Sequence, residues 1–202
     1  MASNVNIVNG DCMEAMAKMP DKFYDLAIVD PPYRDNNQPT QNMRAHGSMK
    51  SLEGRPSKEY WNELFRVSKE YIIWGANNFQ LPQWKGFVVW RKGAIPEKFT
   101  MSMCEIASLS EGLGTIAKIF GVNTSGQDRI HPTQKPVALY KWLLKNYAKP
   151  GDKILDTHGG SCSIAIACWD MGHDCDIYEI DEDYYKAAVK RFENHKKQLR
   201  FV

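Results

Sequence analysis

The residues best equipped for chemistry in this chain stand at Asp30-Pro31-Pro32-Tyr33, directly after the apolar run Leu26-Ala27-Ile28-Val29. Two successive prolines fix φ and force the residue before them into extended backbone. The Asp30 carboxylate and the Pro31 carbonyl can therefore be aimed rigidly at one point. A planar exocyclic amino group offers two hydrogens to two such acceptors. Holding both orients the nitrogen and draws its lone pair toward an incoming methyl group, while Tyr33 supplies a flat face for a ring. Methyl transfer from a sulfonium needs alignment and exclusion of water rather than a metal or a strong nucleophile. The same four residues could instead form a rigid turn or a proline-rich docking motif, a reading disfavoured by their place at the end of a core strand.

A second constellation lies downstream. Lys153-Ile154-Leu155-Asp156 leads into Thr157-His158-Gly159-Gly160-Ser161-Cys162-Ser163 and an apolar helical stretch. This order of strand, glycine turn and helix lets backbone approach a ligand closely. The turn lacks the third glycine of a pyrophosphate-binding loop, and the acids around it disfavour phosphate. Glu179 ends the next expected strand, 23 residues beyond Asp156, where an acid can accept both hydroxyls of a ribose. An adenosine carrying a zwitterionic amino acid fits better than NAD. Taken alone, the turn and the acid are equally compatible with an ordinary tight turn and a solvated strand end.

These residues need a scaffold that sets strand ends side by side. Val5 to Val8 reads as a strand, and Asp11 with Glu14 as a capping box opening a helix that stops at Pro20. Further helices are expected over 57–68, from Pro136 with Val137, Tyr140, Leu144 and Tyr147 on one face, over Ser163 to Met171, and from near Asp181. Strands are expected at 26–29, 71–74, 87–90, 104–109, 153–156 and 176–180; residues 111–129 fit no pattern, and 34–57 read as a long polar loop. Buried strands alternating with helices predict an α/β protein with a doubly wound, mostly parallel sheet.

The 202 residues are 43% hydrophobic and 25% charged, which excludes disordered and fibrous classes and suits a single domain over 1–202. No run approaches the roughly 18 apolar residues of a membrane span, and the first ten residues lack a leader pattern, so a cytoplasmic protein is expected. Cys12, Cys104, Cys162, Cys168 and Cys175 contain no Cys-x-x-Cys pair; reduced thiols and no metal are expected. With a net charge of +2, any polyanion must be met by local clusters.

Asp30-Pro31-Pro32-Tyr33 upstream, His131-Pro132-Thr133-Gln134-Lys135-Pro136 in the middle, and Asp156 to Ser161 with Tyr178-Glu179-Ile180-Asp181 downstream resemble the DNA N6-adenine/N4-cytosine methyltransferases. The order matches that family's β group, in which the catalytic motif precedes the cofactor motif as if circularly permuted, and the resemblance runs from Val5 to Phe192. It implies a Rossmann-like methyltransferase fold with S-adenosylmethionine as cofactor. It places the catalytic half in 1–110, the cofactor half in 131–202, and a minimal target-recognition region at about 91–130. Asp30 and Pro31 would bind the target amino group, Pro32 shape the turn, and Tyr33 stack on a flipped base. Asp156, Thr157, His158, Gly159, Gly160, Ser161, Cys162 and Ser163 would form the cofactor turn, with Glu179 on the ribose. Thr133 and Lys135 would meet the methionine part, and Asp11 and Cys12 the adenine. The family usually has Pro-Phe where Thr157-His158 stand and a second glycine at Cys162, a variation similar to small phage and prophage members, which leaves a restriction-modification role open. Aspartate before Pro-Pro-Tyr is more typical of the adenine members.

DNA is the expected partner, double-stranded with the target base flipped out, since chemistry on a base requires its removal from the stack. Arg34, Arg44, Lys50 and Arg55, with Lys58 against Asp35 and Glu53, put a local +3 beside the catalytic motif, suited to phosphate contacts. A merely solvated loop is the alternative. Lys85, Arg91, Lys92 and Lys98 around Trp84, Trp90 and Phe99 suit either nucleic acid or strand ends packed on a core. A homodimer is compatible with the resemblance. N4-cytosine or RNA methylation and a catalytically silent nucleic-acid-binding subunit stay open as alternatives.

Overall fold

The structure, a computed structural model, describes residues 3–33, 36–37, 52–93, 95, 98, 102–122 and 129–198. Its strands are β1 (Val5–Asn9), β2 (Tyr24–Val29), β3 (Asn36–Asn37), β4 (Leu52–Glu53), β5 (Ser68–Trp74), β6 (Phe87–Lys92), β7 (Cys104–Leu109), β8 (Ala117–Val122), β9 (Lys153–Asp156) and β10 (Asp174–Glu179). Its α-helices are α1 (Cys12–Met16), α2 (Lys58–Val67), α3 (Val137–Tyr147), α4 (Ser163–Met171) and α5 (Glu182–Lys197). Eight strands form one sheet in the order β1-β10-β9-β2-β5-β7-β6-β8, and β3 pairs with β4 separately. β1, β10, β9, β2 and β5 are mutually parallel; β7 runs against both β5 and β6, and β8 is parallel to β6.

The period-two geometry of a strand sorts side chains onto two faces. Leu26, Ile28, Ile72, Trp74, Ile154 and Ile177 pack with Leu139 and Leu143 of α3, Ile164 of α4 and Phe192 of α5. Ala27, Val29, Ile73 and Leu155 pack with Met16 of α1 and with Tyr60, Leu64 and Val67 of α2. Helices on both faces make the sheet doubly wound. They also explain why the buried middles of the central strands carry apolar residues on both faces, since each buried aliphatic side chain contributes roughly 1.5–3 kcal/mol.

Several element ends differ from the sequence expectation for identifiable reasons. α1, capped by Asp11 accepting from the Met13 N–H at 2.8 Å, ends at Met16, short of Pro20. β5 begins at Ser68, because Ser68 pairs with Tyr24 of β2 despite the polar Lys69 and Glu70. β10 begins at Asp174, opposite Lys153, and stops at Glu179, leaving Ile180 74% exposed. The unassigned stretch contains a short 3-10 turn at Glu111–Leu113 and then β8. Among the described residues β8 pairs only with β6, so exposed and half-buried residues alternate along it and no continuous apolar run announces it.

Candidate active site

The strand order reverses between β9 and β2. From β9 the chain proceeds through α4 to β10 on one side, and from β2 through α2 to β5 on the other. Open α/β sheets bind ligands in the crevice at such a point, beyond the carboxyl ends of the strands. Here those ends are Asp30, just past β2, and Asp156, the last residue of β9, on adjacent strands in register at Leu26 with Ile154 and Ala27 with Leu155. Above them opens a cavity of about 660 Å³.

Asp30, Pro31, Pro32 and Tyr33 all line it. The Tyr33 hydroxyl donates to Asp30 Oδ1 at 2.7 Å, and the Lys135 ammonium bonds Asp30 Oδ2. Lys135 also contacts Glu105 Oε2 at 2.9 Å, and Lys92 pairs with Glu105 Oε1. Burial raises the Asp30 carboxyl, Lys135 pulls it back, and the nearby Glu105 adds to the rise, leaving it above the ordinary range. Burial also raises Glu105, but the ammonium groups of Lys135 and Lys92 outweigh it and hold that carboxyl at about 2. Lys135 stays charged, since its two carboxylate partners offset its burial. Lys135, expected to meet the cofactor, lines the cavity with its ammonium bonded to Asp30 and to Glu105 of β7. The Tyr33 ring lies against Gly75, edge-on to Phe79 at 6.0 Å, with its hydroxyl on Asp30.

Of the residues expected to hold the cofactor, Asp11, Cys12, Thr133, Lys135, Thr157, His158, Gly159, Gly160, Ser161 and Glu179 line the same cavity. Glu179 Oε2 accepts from the Gly160 N–H at 2.6 Å and Oε1 from the Asp181 N–H at 2.8 Å. A carboxylate has about four acceptor positions, so each oxygen keeps one for a hydroxyl. A Cβ on Gly159 would fall 2.8 Å from Ile177 Cγ2, which accounts for the glycine. Asp156 lies beneath the turn, accepting from the His158 N–H at 3.0 Å. Burial chiefly, with the charges of Asp30 and Glu179, lifts its carboxyl to about 7.

Three of the expected cofactor residues, Asp156, Cys162 and Ser163, do not line the cavity. They are 2%, 1% and 2% exposed. Cys162 keeps the left-handed backbone, φ +49°, that usually selects glycine, but its side chain turns into the core and caps nothing at the ligand face. Ser163 Oγ bonds Ser161 Oγ at 3.1 Å and Arg191 at 3.0 Å instead. The 131–136 segment closes over the turn. Its His131 ring stands 3.5 Å from where a Gly160 Cβ would be, edge-on to Tyr184 at 4.3 Å. Thr133 donates its N–H to His131 Nδ1 at 3.3 Å, so that nitrogen is an acceptor; burial, with Lys135, lowers the imidazole to about 4.

Of the expected nucleic-acid contacts, Arg34, Arg44 and Lys50 lie outside the described residues. Arg55 is exposed beside the cavity, bonding the Asn78 carbonyl and lying 5.7 Å over the Phe79 ring. Trp90 is 5% exposed and Lys92 is paired with Glu105, so this part of the cation and aromatic cluster belongs to the core. Among the described residues no group of His, Cys, Asp and Glu is placed to hold a metal ion, and no helix is long and apolar enough to cross a membrane.

Glu105, Tyr60, Tyr140 and Tyr184 line the cavity, and none was expected from the sequence as a site residue, Tyr140 being read there only as part of a helix face. Glu105 had one available signal, as the sole charged residue in the strand Cys104–Leu109. Tyr60 had none, since its hydroxyl meets Thr157 Oγ1 at 2.7 Å across 97 residues of chain.

A family model described as DNA methylase, that of the N6/N4 methyltransferases, matches residues 89–190, half of the chain. YubD of Escherichia coli (strain K12), a protein named as a methylase, is 26% identical over 91% of this chain and 88% of its own length. Among solved structures, the M1.HpyAVI–SAM complex superposes with a TM-score of 0.64 at 18% identity, covering 93% of this chain and 99% of that one. The PvuII DNA methyltransferase, cytosine-N4-specific, reaches 0.64 at 12% identity over 100% of this chain and 89% of its own. These two likenesses show the fold.

Proposed function

The chain belongs to the N6/N4 family of DNA methyltransferases, and we propose that it moves a methyl group from S-adenosylmethionine to the exocyclic N6 of an adenine flipped out of double-stranded DNA in the cytoplasm. The observation that carries this reading is the Asp30 carboxylate at the strand-order reversal, on the wall of a cavity whose other wall is the glycine turn with Glu179.

The residues present suit the cofactor. Glu179 keeps an acceptor on each oxygen for two ribose hydroxyls, Asp11 and Cys12 stand on the wall beyond it, and His131 and Thr133 close the cavity above the turn. When bound, S-adenosylmethionine supplies an electrophilic methyl group whose bonding electron pair departs with the sulfur. Asp30 and the Pro31 carbonyl accept the two amino hydrogens and so aim the nitrogen lone pair, which forms the new N–C bond. The nitrogen then carries one proton too many, and Asp30, a stronger base for its burial, takes it. Displacing Tyr33 from Asp30 would free its ring to stack on the base. Aspartate at the head of the motif supports adenine. Cytosine N4 presents the same pair of hydrogens and is the second reading, since the fold neighbour named cytosine-N4-specific superposes with the same TM-score, 0.64, as M1.HpyAVI. Arg34, Arg44, Lys50 and Arg55 would contact phosphates.

Purified protein incubated with methyl-labelled S-adenosylmethionine and unmethylated genomic DNA, digested and analysed by mass spectrometry, should yield N6-methyladenine. Label in N4-methylcytosine would overturn the choice of base, and no label in DNA would overturn the activity. Asp30→Ala should abolish most turnover while cofactor affinity persists.

A further inference from the structure

Two groups hold Asp30, the Tyr33 hydroxyl on Oδ1 and the Lys135 ammonium on Oδ2, and both lower its basicity toward a target amino group. The Tyr33 hydroxyl is neutral and can leave with its ring. Lys135 cannot simply withdraw, because its side chain is 2% exposed and its nitrogen lies between Asp30, Glu105 and the Trp74 ring, 5.3 Å from the ring centre. A buried ammonium without a counter-ion is strongly disfavoured. Glu105 Oε2 already stands 2.9 Å from that nitrogen, while Lys92 holds the other oxygen. The cluster contains two carboxylates and two ammonium groups, so it stays compensated if Lys135 moves wholly onto Glu105 and Asp30 turns to a neutral amino group.

The direction of β7 makes this arrangement available. A strand parallel to its neighbours would bring its last residues to the crevice, whereas the reversed β7 brings its first ones. Ala107 pairs with Trp74 at the end of β5, and Glu105 lies two residues nearer the cavity.

We propose that Glu105 is a positioning residue for the transfer: it takes over the Lys135 ammonium as the target amino group claims Asp30, releasing the acceptor while the cation stays paired. This rests on the reading of Asp30 as the amino-group acceptor. Removing the Glu105 charge leaves Lys135 one counter-ion, Asp30, and keeps the ammonium there, weakening Asp30 as acceptor and base.

The test compares wild type, Glu105→Gln and Glu105→Gln/Lys135→Met. Glu105→Gln should lower kcat about tenfold or more with an unchanged KM for S-adenosylmethionine. The added Lys135→Met should then recover activity several-fold over the single variant, because Asp30 is no longer held. A purely structural Glu105 predicts further loss instead. An unaltered kcat in Glu105→Gln, or a double variant no faster than it, overturns the proposal. A second arm needs no DNA. In 13C NMR titration of the Asp30 carboxyl, Glu105→Gln should lower the midpoint by about one pH unit or more, and an unmoved midpoint overturns the proposal. A wild-type protein that methylates nothing would therefore count against the proposed function, while the titration still decides the pairing.

Discussion

A Cβ on Gly75 would lie 2.1 Å from Cε1 of Tyr33, so the tyrosine ring that follows Asp30-Pro31-Pro32 occupies the space that this glycine leaves open. Gly75 is itself left-handed, φ +68°, at the turn where β5 ends. Gly75→Ala should consequently expel the ring and strain the turn, costing roughly 1–3 kcal/mol of stability. With Tyr33 displaced, methyl transfer should fall while cofactor affinity, set on the other wall, holds. Calorimetric titration of S-adenosylmethionine beside a turnover assay checks this; equal losses in both would show that Gly75 supports the whole cavity.

Glu179→Ala should weaken S-adenosylmethionine binding by about 1–3 kcal/mol, because the ribose loses charge-assisted hydrogen bonds. The same substitution unties the backbone N–H groups of Gly160 and Asp181. Glu179→Gln, which retains one acceptor, should lose less. An unchanged dissociation constant in the alanine variant would refute the ribose assignment.

Asp156 and two histidines give the unliganded protein opposing pH dependences. Burial raises Asp156 to about 7, above its unfolded value, so the folded state holds the extra proton and stability falls as pH rises from about 4 to 7. His131 and His158, both lowered to about 4 chiefly by burial, act in reverse: their contribution is present above about 6.5 and is lost as pH falls toward 4. Asp156→Asn retains an acceptor for the His158 N–H and removes the buried charge. It should match wild type near pH 4.5 and exceed it by on the order of 3 kcal/mol at pH 8. Urea unfolding at the two pH values measures the difference, and a constant gap would contradict it.

The cysteines should separate cleanly by reactivity. Cys104 is exposed, whereas Cys162, Cys168 and Cys175 are buried, and Cys12 on the cavity wall has its thiol pushed to about 12, mainly by burial. A thiol reagent at pH 8 should find one fast equivalent per folded chain, with the others reacting on unfolding. Fast modification of Cys12 that cofactor blocks would show instead that the cavity wall is solvated.

Local sequence determined much of this protein. The continuous apolar runs in β2 and β5 announced strands buried on both faces, Asp30-Pro31-Pro32 announced a rigid acceptor at a strand end, and Gly159 with Glu179 announced a close backbone approach beside an acidic strand end. These signals are local, because φ restriction, strand burial and glycine clearance act over a few residues. Tertiary structure alone decided what touches Asp30. Lys135 reaches it across 105 residues, and the Tyr33 hydroxyl stands 3.5 Å from Glu105 across 72. Those meetings depend on the order of the strands and on the reversal of β7, which no periodicity in the chain encodes. The half-exposed edge strand β8 escaped notice for a related reason: a strand with one partner and one packed face leaves little apolar pattern to read.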